Sequence, residues 1–69
     1  MNSTHLFING APVQTQAADL QALLLERGQD LNAAFACAIN NTFVPRAQWP
    51  QRSLQAGDRV DLIAPITGG

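Results

Sequence analysis

Lysine and tyrosine are missing from this 69-residue chain, cysteine and histidine occur once each, and four arginines stand against five acids. The net charge is −1 and no basic run is present. Phosphate backbones and anionic lipid surfaces attract clusters of positive charge, so nucleic-acid and membrane partners are excluded. A lone cysteine, Cys37, cannot staple a fold. Small secreted domains usually carry several, and this usage predicts a reducing, cytoplasmic setting. Met1 to His5 shows no positive charge followed by an apolar run, which predicts no signal peptide. The longest apolar run, Ala33 to Ile39, is far too short to cross a bilayer.

Catalytic groups are equally scarce. Acid–base or nucleophilic chemistry needs two or three converging side chains, and a metal needs several ligands. His5 falls on an exposed strand position, and Cys37, between Ala36 and Ala38, reads as a small core residue rather than a redox thiol. Asp58 belongs to a turn and Asp61 to the outer face of a strand, so they make no carboxylate pair. No glycine-rich loop opens a helix to cradle phosphate. The expectation is a protein that is not an enzyme.

What the chain does have is apolar pattern. With 46% hydrophobic residues and 13% charged, it lies well clear of disorder. Its length allows one domain, 1–69, of modest stability. Thr4 to Asn9 alternates as a strand, with Leu6 and Ile8 on one face and His5, Phe7 and Asn9 on the other. Asn9-Gly10 is a strong hairpin signal, because both residues tolerate positive φ. Val13 and Thr15 alternate on the returning strand, where Pro12 should be the first residue or lie on an edge.

Asp19 is placed to cap a helix over Leu20 to Arg27, with Leu20, Leu23 and Leu24 as its apolar stripe and Gly28 closing it. Ala34 to Ile39 reads as a strand, Asn40-Asn41 as a turn, and Thr42 to Val44 as a short strand ended by Pro45. Ala47 to Pro50 reads as an irregular or 3₁₀ turn carrying Trp49. After the Gly57-Asp58 turn, Arg59 to Ala64 forms a last strand with Val60 and Leu62 inward. It is expected to return beside the first. Strand, strand, helix, strand, short strand, strand gives an α+β, β-grasp (ubiquitin-like) plan: a mixed sheet of four to five strands packed on one helix.

The C-terminus is the unusual part. Two final glycines arise by chance in roughly one chain in 200, and by themselves read as a frayed end. Here they follow the last strand almost at once, and 65–69, Pro65-Ile66-Thr67-Gly68-Gly69, are expected to form a flexible tail. Glycines make a thread thin enough for a narrow cleft and leave the terminal carboxylate sterically free. A carboxylate is a poor electrophile, so acyl transfer from it requires activation by a partner that binds ATP.

Several segments resemble one family. Ala38-Ile39-Asn40, Val44-Pro45-Arg46, Gln48-Trp49, Leu54 with Gly57-Asp58, Val60, Leu62 and the final Gly68-Gly69 are similar, across essentially the whole chain, to ThiS, the sulfur carriers of thiamine-thiazole biosynthesis. The N-terminus is a few residues longer than is usual there, and Asp19 stands where the family often has threonine. The resemblance implies that a ThiF-type adenylyltransferase, using ATP and Mg, activates the Gly69 carboxylate. Sulfur from a cysteine desulfurase then yields a thiocarboxylate, which a ThiG-type thiazole synthase receives. The carrier is a co-substrate that needs no cofactor of its own, and Gly68, Thr67 and Ile66 thread into the partners. The small subunit of molybdopterin synthase shares fold and tail, but the Val44-Pro45-Arg46 and Trp49 segment and the short length favour the former family. A non-covalent β-grasp interaction module with an incidental diglycine is a second class.

Three further residues are candidates for a docking face. Phe7 and Ile63 fall opposite Leu6, Ile8 and Leu62, on a sheet face that one helix leaves uncovered. Arg46 is either a turn-stabilising charge or an interface arginine. Trp49 either anchors its loop on the core or touches a partner.

Overall fold

The computed structural model describes residues 3–64. The tail residues Ile66, Thr67, Gly68 and Gly69 lie outside the described residues. Strands β1 (Thr4–Ile8) and β2 (Ala11–Thr15) form the first hairpin. β1 stops one residue earlier than the alternation predicts, because Asn9 takes a φ of +50° and turns with Gly10 at +84°. Pro12 is the second residue of β2, opposite Phe7, and β2 is an edge strand, where a missing N–H is tolerated.

Helix α1 (Leu20–Glu26) begins where Asp19 accepts a hydrogen bond from the Ala22 amide at 2.8 Å. The spacing predicts one more residue, but Arg27 is the C-cap, and Gly28 follows with φ +79°. Leu20, Leu23 and Leu24 are fully buried. Thr15 links β2 to the far end of the helix, donating from its hydroxyl to Glu26 Oε2 at 2.6 Å and accepting from the Ala17 amide.

β3 (Ala36–Ile39) and β4 (Thr42–Val44) make the second hairpin around Asn40 and Asn41, both left-handed at φ +54° and +68°. A 3₁₀ segment, Arg46–Gln51, carries Trp49 onto the core, and β5 (Arg59–Ile63) ends the described fold. The strand order is β2-β1-β5-β3-β4. β5 runs parallel to β1 and antiparallel to β3, so the last strand occupies the centre of the sheet. Leu6, Cys37, Ile39, Val44 and Val60 face the leucine stripe of α1 and Trp49, with Leu62 packed at their margin. This is the β-grasp arrangement. Among the described residues no helix is long and apolar enough to cross a membrane.

Candidate functional site

A central strand can be held on both sides, and β5 is. Its residues alternate: Arg59, Asp61 and Ile63 present backbone groups toward β3, while Val60 and Leu62 present theirs toward β1. On the β3 side the register runs to the end of the strand, from Ile39↔Val60 to Ala36↔Ile63. On the β1 side it stops at Ile8↔Val60. Two bonds continue it past that point. The Asn9 amide donates to Val60 O, and the Leu62 amide donates to Asn9 Oδ1, both at 2.9 Å. The strand that delivers residues 64–69 is therefore fixed to within one residue of its last paired position.

At the other end of β5, Asn40 does the corresponding work. Its amide donates to Arg59 O at 2.8 Å, and its Oδ1 accepts from the Arg59 amide at 3.0 Å. Its Nδ2 donates to Asp58 Oδ1 at 3.0 Å, while Asp58 Oδ2 accepts from the Gln55 amide at 2.9 Å and lies 3.8 Å from Arg52 Nη1. Asp58 is 5% exposed. Its carboxylate is the turn residue that the Gly57-Asp58 pattern predicts, and it also ties two loops together.

Among the described residues the sheet face away from α1 carries three of the four exposed large apolar side chains, the fourth being Leu25 on α1, at 56%. Phe7 is 40% exposed and Ile63 is 53% exposed, as expected for that face. Phe43 joins them at 63%, opposite Ala38. The sequence reading missed Phe43; the signal was the register of β4 against the Ala36-Ala38 alternation. These side chains do not form one cluster. Phe7 neighbours Arg59 and lines a hollow with Gly10, Asn41, Arg59 and Asp61. Ile63 lies further along β5, in a separate depression of about 350 Å³ with Ala34, Phe35, Ala36 and Arg46. Arg46 and Ile63 are thus brought together, beside the point where the chain leaves β5, while Phe7 stands apart.

Arg46 serves the fold as well as this depression. Its guanidinium donates to the carbonyls of Leu31, Ala33 (2.8 Å) and Phe35 (3.2 Å). It also lies over the rings of Phe35 and Trp49, at 5.4 and 4.5 Å from their centroids. Those two rings stack at 5.1 Å, and the Trp49 indole N–H donates to Val44 O at 3.0 Å. Capture of the Ala33 and Phe35 carbonyls bends the chain there, so β3 starts at Ala36 and not at Ala34. The anchoring role open to Trp49 is realised.

Cys37 is fully buried, and burial pushes its thiol up from about 9.0 to about 11, against a smaller lowering by the Arg46 charge. It is protonated at neutral pH and so a poor nucleophile. His5 is exposed on β1. Among the described residues no group of three or more His, Cys, Asp or Glu side chains is placed to hold a metal.

Comparison with known proteins gives a consistent result. The ThiS family model matches residues 7–69. The sulfur carrier protein ThiS of Escherichia coli K12 is 38% identical over 64 residues, covering 93% of this chain and 97% of the relative. The crystal structure of the thiamine biosynthesis protein ThiS from Geobacter metallireducens superposes with a TM-score of 0.81 at 20% identity, covering 96% of this chain and all of that one. At that identity the superposition speaks to fold alone.

Proposed function

The chain belongs to the ThiS family, and from that premise we propose that it is a sulfur carrier of thiamine biosynthesis whose Gly69 carboxylate holds the sulfur. The observation that carries this reading is the reach of the family match: it runs unbroken from β1 through the central strand β5 to the final glycine. The globular body presents the end; the end is the reagent.

The chemistry follows from the poor electrophilicity of a carboxylate. A Gly69 oxygen attacks the α-phosphorus of ATP on a ThiF-type adenylyltransferase, with Mg belonging to that enzyme, and pyrophosphate leaves. The terminal sulfur of a persulfide, filled by a cysteine desulfurase, attacks the acyl carbon and expels AMP. A thiol then reduces the resulting S–S bond, releasing the thiocarboxylate. A ThiG-type thiazole synthase accepts that sulfur. Gly68, Thr67 and Ile66 supply the narrow thread that reaches these active sites.

Intact mass spectrometry tests the reading. Incubated with the activating enzyme, ATP, a persulfide donor and a thiol reductant, the chain gains about 16 Da at Gly69, the difference between sulfur and oxygen. The Gly69 deletion gains nothing and supports no thiazole formation. Thiazole formation by a chain carrying an uncleaved extension after Gly69 would overturn the reading.

The outer sheet face is the proposed docking surface, with Phe7, Ile63 and Arg46 at its contacts. Phe43 extends it. Large apolar side chains this exposed, around a centre of Arg59 and Asp61, suit a partner that covers them. Phe7→Ala and Ile63→Ala should each weaken binding to the activating enzyme about tenfold, about 1–2 kcal/mol, above the cost of most interface residues and below that of a hot spot. Both should leave thermal unfolding nearly unchanged. Unfolding of either variant would place these residues in the core instead.

A further inference from the structure

We propose that Asn9 is a positioning residue for the C-terminal carboxylate: its side-chain oxygen closes the β1–β5 ladder at Leu62 and so fixes the strand end from which the reactive tail departs. This inference rests on the sulfur-carrier reading above. In a continuing parallel ladder the Leu62 amide would meet a main-chain carbonyl of the neighbouring strand. The left-handed backbone at Asn9 has already turned the main chain into the hairpin, and Asn9 Oδ1 takes the place of that carbonyl at 2.9 Å. The bond spans 53 positions of sequence and joins the first turn to the penultimate residue of the last strand.

Two features separate placement from bulk stability here. Asn9 is exposed, so water can replace its oxygen at Leu62 with little loss of folding free energy. Direction is another matter. Gly69 lies seven residues beyond Leu62 (69 − 62), and a tail whose root can splay from β1 samples more directions before it enters a partner's cleft. Misplacement of a reacting group by about 1 Å is enough to cost up to 10²-fold in rate.

The test compares three variants with the full wild-type chain, all measured well below their unfolding temperatures. Asn9→Gly keeps the left-handed turn and removes the acceptor. Asn9→Asp keeps both turn and acceptor. Asn40→Gly removes the matching bonds at the opposite end of β5. ATP-dependent adenylation by the activating enzyme is followed alongside amide hydrogen exchange at Leu62. Asn9→Gly should speed Leu62 exchange about tenfold, as expected for one lost hydrogen bond. It should also lower adenylation about fivefold or more, mainly in kcat, since orientation and not encounter is lost. Asn9→Asp should match wild type in both readouts, and Asn40→Gly should be adenylated normally despite a larger loss of stability. Three results overturn the proposal: fast Leu62 exchange in Asn9→Gly with unchanged adenylation, equal losses in Asn9→Asp and Asn9→Gly, or a loss in Asn40→Gly as large as in Asn9→Gly. A wild-type chain that is never adenylated removes the carrier reading itself, and this inference with it.

Discussion

The two ends of β5 are fastened by the same device in very different surroundings. At each, an asparagine in a left-handed hairpin turn uses its side-chain oxygen to accept a backbone amide of the central strand: Asn40 takes Arg59, and Asn9 takes Leu62. Around Asn40 the bond is embedded in a network. A nearly buried Asp58 carboxylate receives Asn40 and Gln55, with Arg52 close by. Around Asn9 the side-chain bond is solitary; both asparagines are exposed, so the network and not burial separates the two ends. A network that shares a buried charge resists removal of any member, because the remaining donors are left without partners. A single surface bond does not. The start of β5 is therefore built to hold the fold, and its end to set a direction.

Stability measurements can break this contrast. Asp58→Ala should have the largest effect, a loss of about 2–3 kcal/mol from leaving the Gln55 amide and the Asn40 side-chain amide without their partly buried acceptor. Urea midpoints at constant m-value would show it, and a loss below about 0.5 kcal/mol would mean that the network holds nothing. Asn40→Gly comes next, at about 1–2 kcal/mol, since the turn geometry survives and two side-chain hydrogen bonds go. The smallest effect belongs to Asn9→Gly, expected below about 1 kcal/mol in the same titration. If Asn9→Gly proved the most damaging of the three, the assignment of roles to the two ends would be reversed.

Much of the fold was legible because it rests on local chemistry. Asn9-Gly10 announces its turn through tolerance of positive φ, Asp19 announces its helix through a free oxygen three residues before Ala22, and Leu20, Leu23 and Leu24 mark one helical face. The placement of the last strand beside the first followed from the order of elements. Other features depend on partners far away in sequence. Nothing near Asn9 indicates that its side chain meets Leu62, and nothing near Arg46 indicates that its guanidinium gathers the carbonyls of Leu31, Ala33 and Phe35. That capture also explains why β3 begins two residues later than its alternation predicts. Phe43 escaped notice because a strand of three residues shows too little alternation to declare a face; only its pairing with Ala38 does so. The diglycine was visible at once, since a terminal carboxylate needs no fold to be recognised.

The sealed position of Cys37 bears on what this molecule can safely transport. In the proposed reaction the chain's own end becomes an acyl-adenylate, an acylating agent at close quarters to its other side chains. A thiolate within reach would intercept it and close a ring, ending the delivery. Here the single sulfhydryl is shut beneath the sheet and keeps its proton to about pH 11, and no lysine amine exists anywhere in the sequence to compete. The described body thus offers that end neither a thiolate nor a lysine amine.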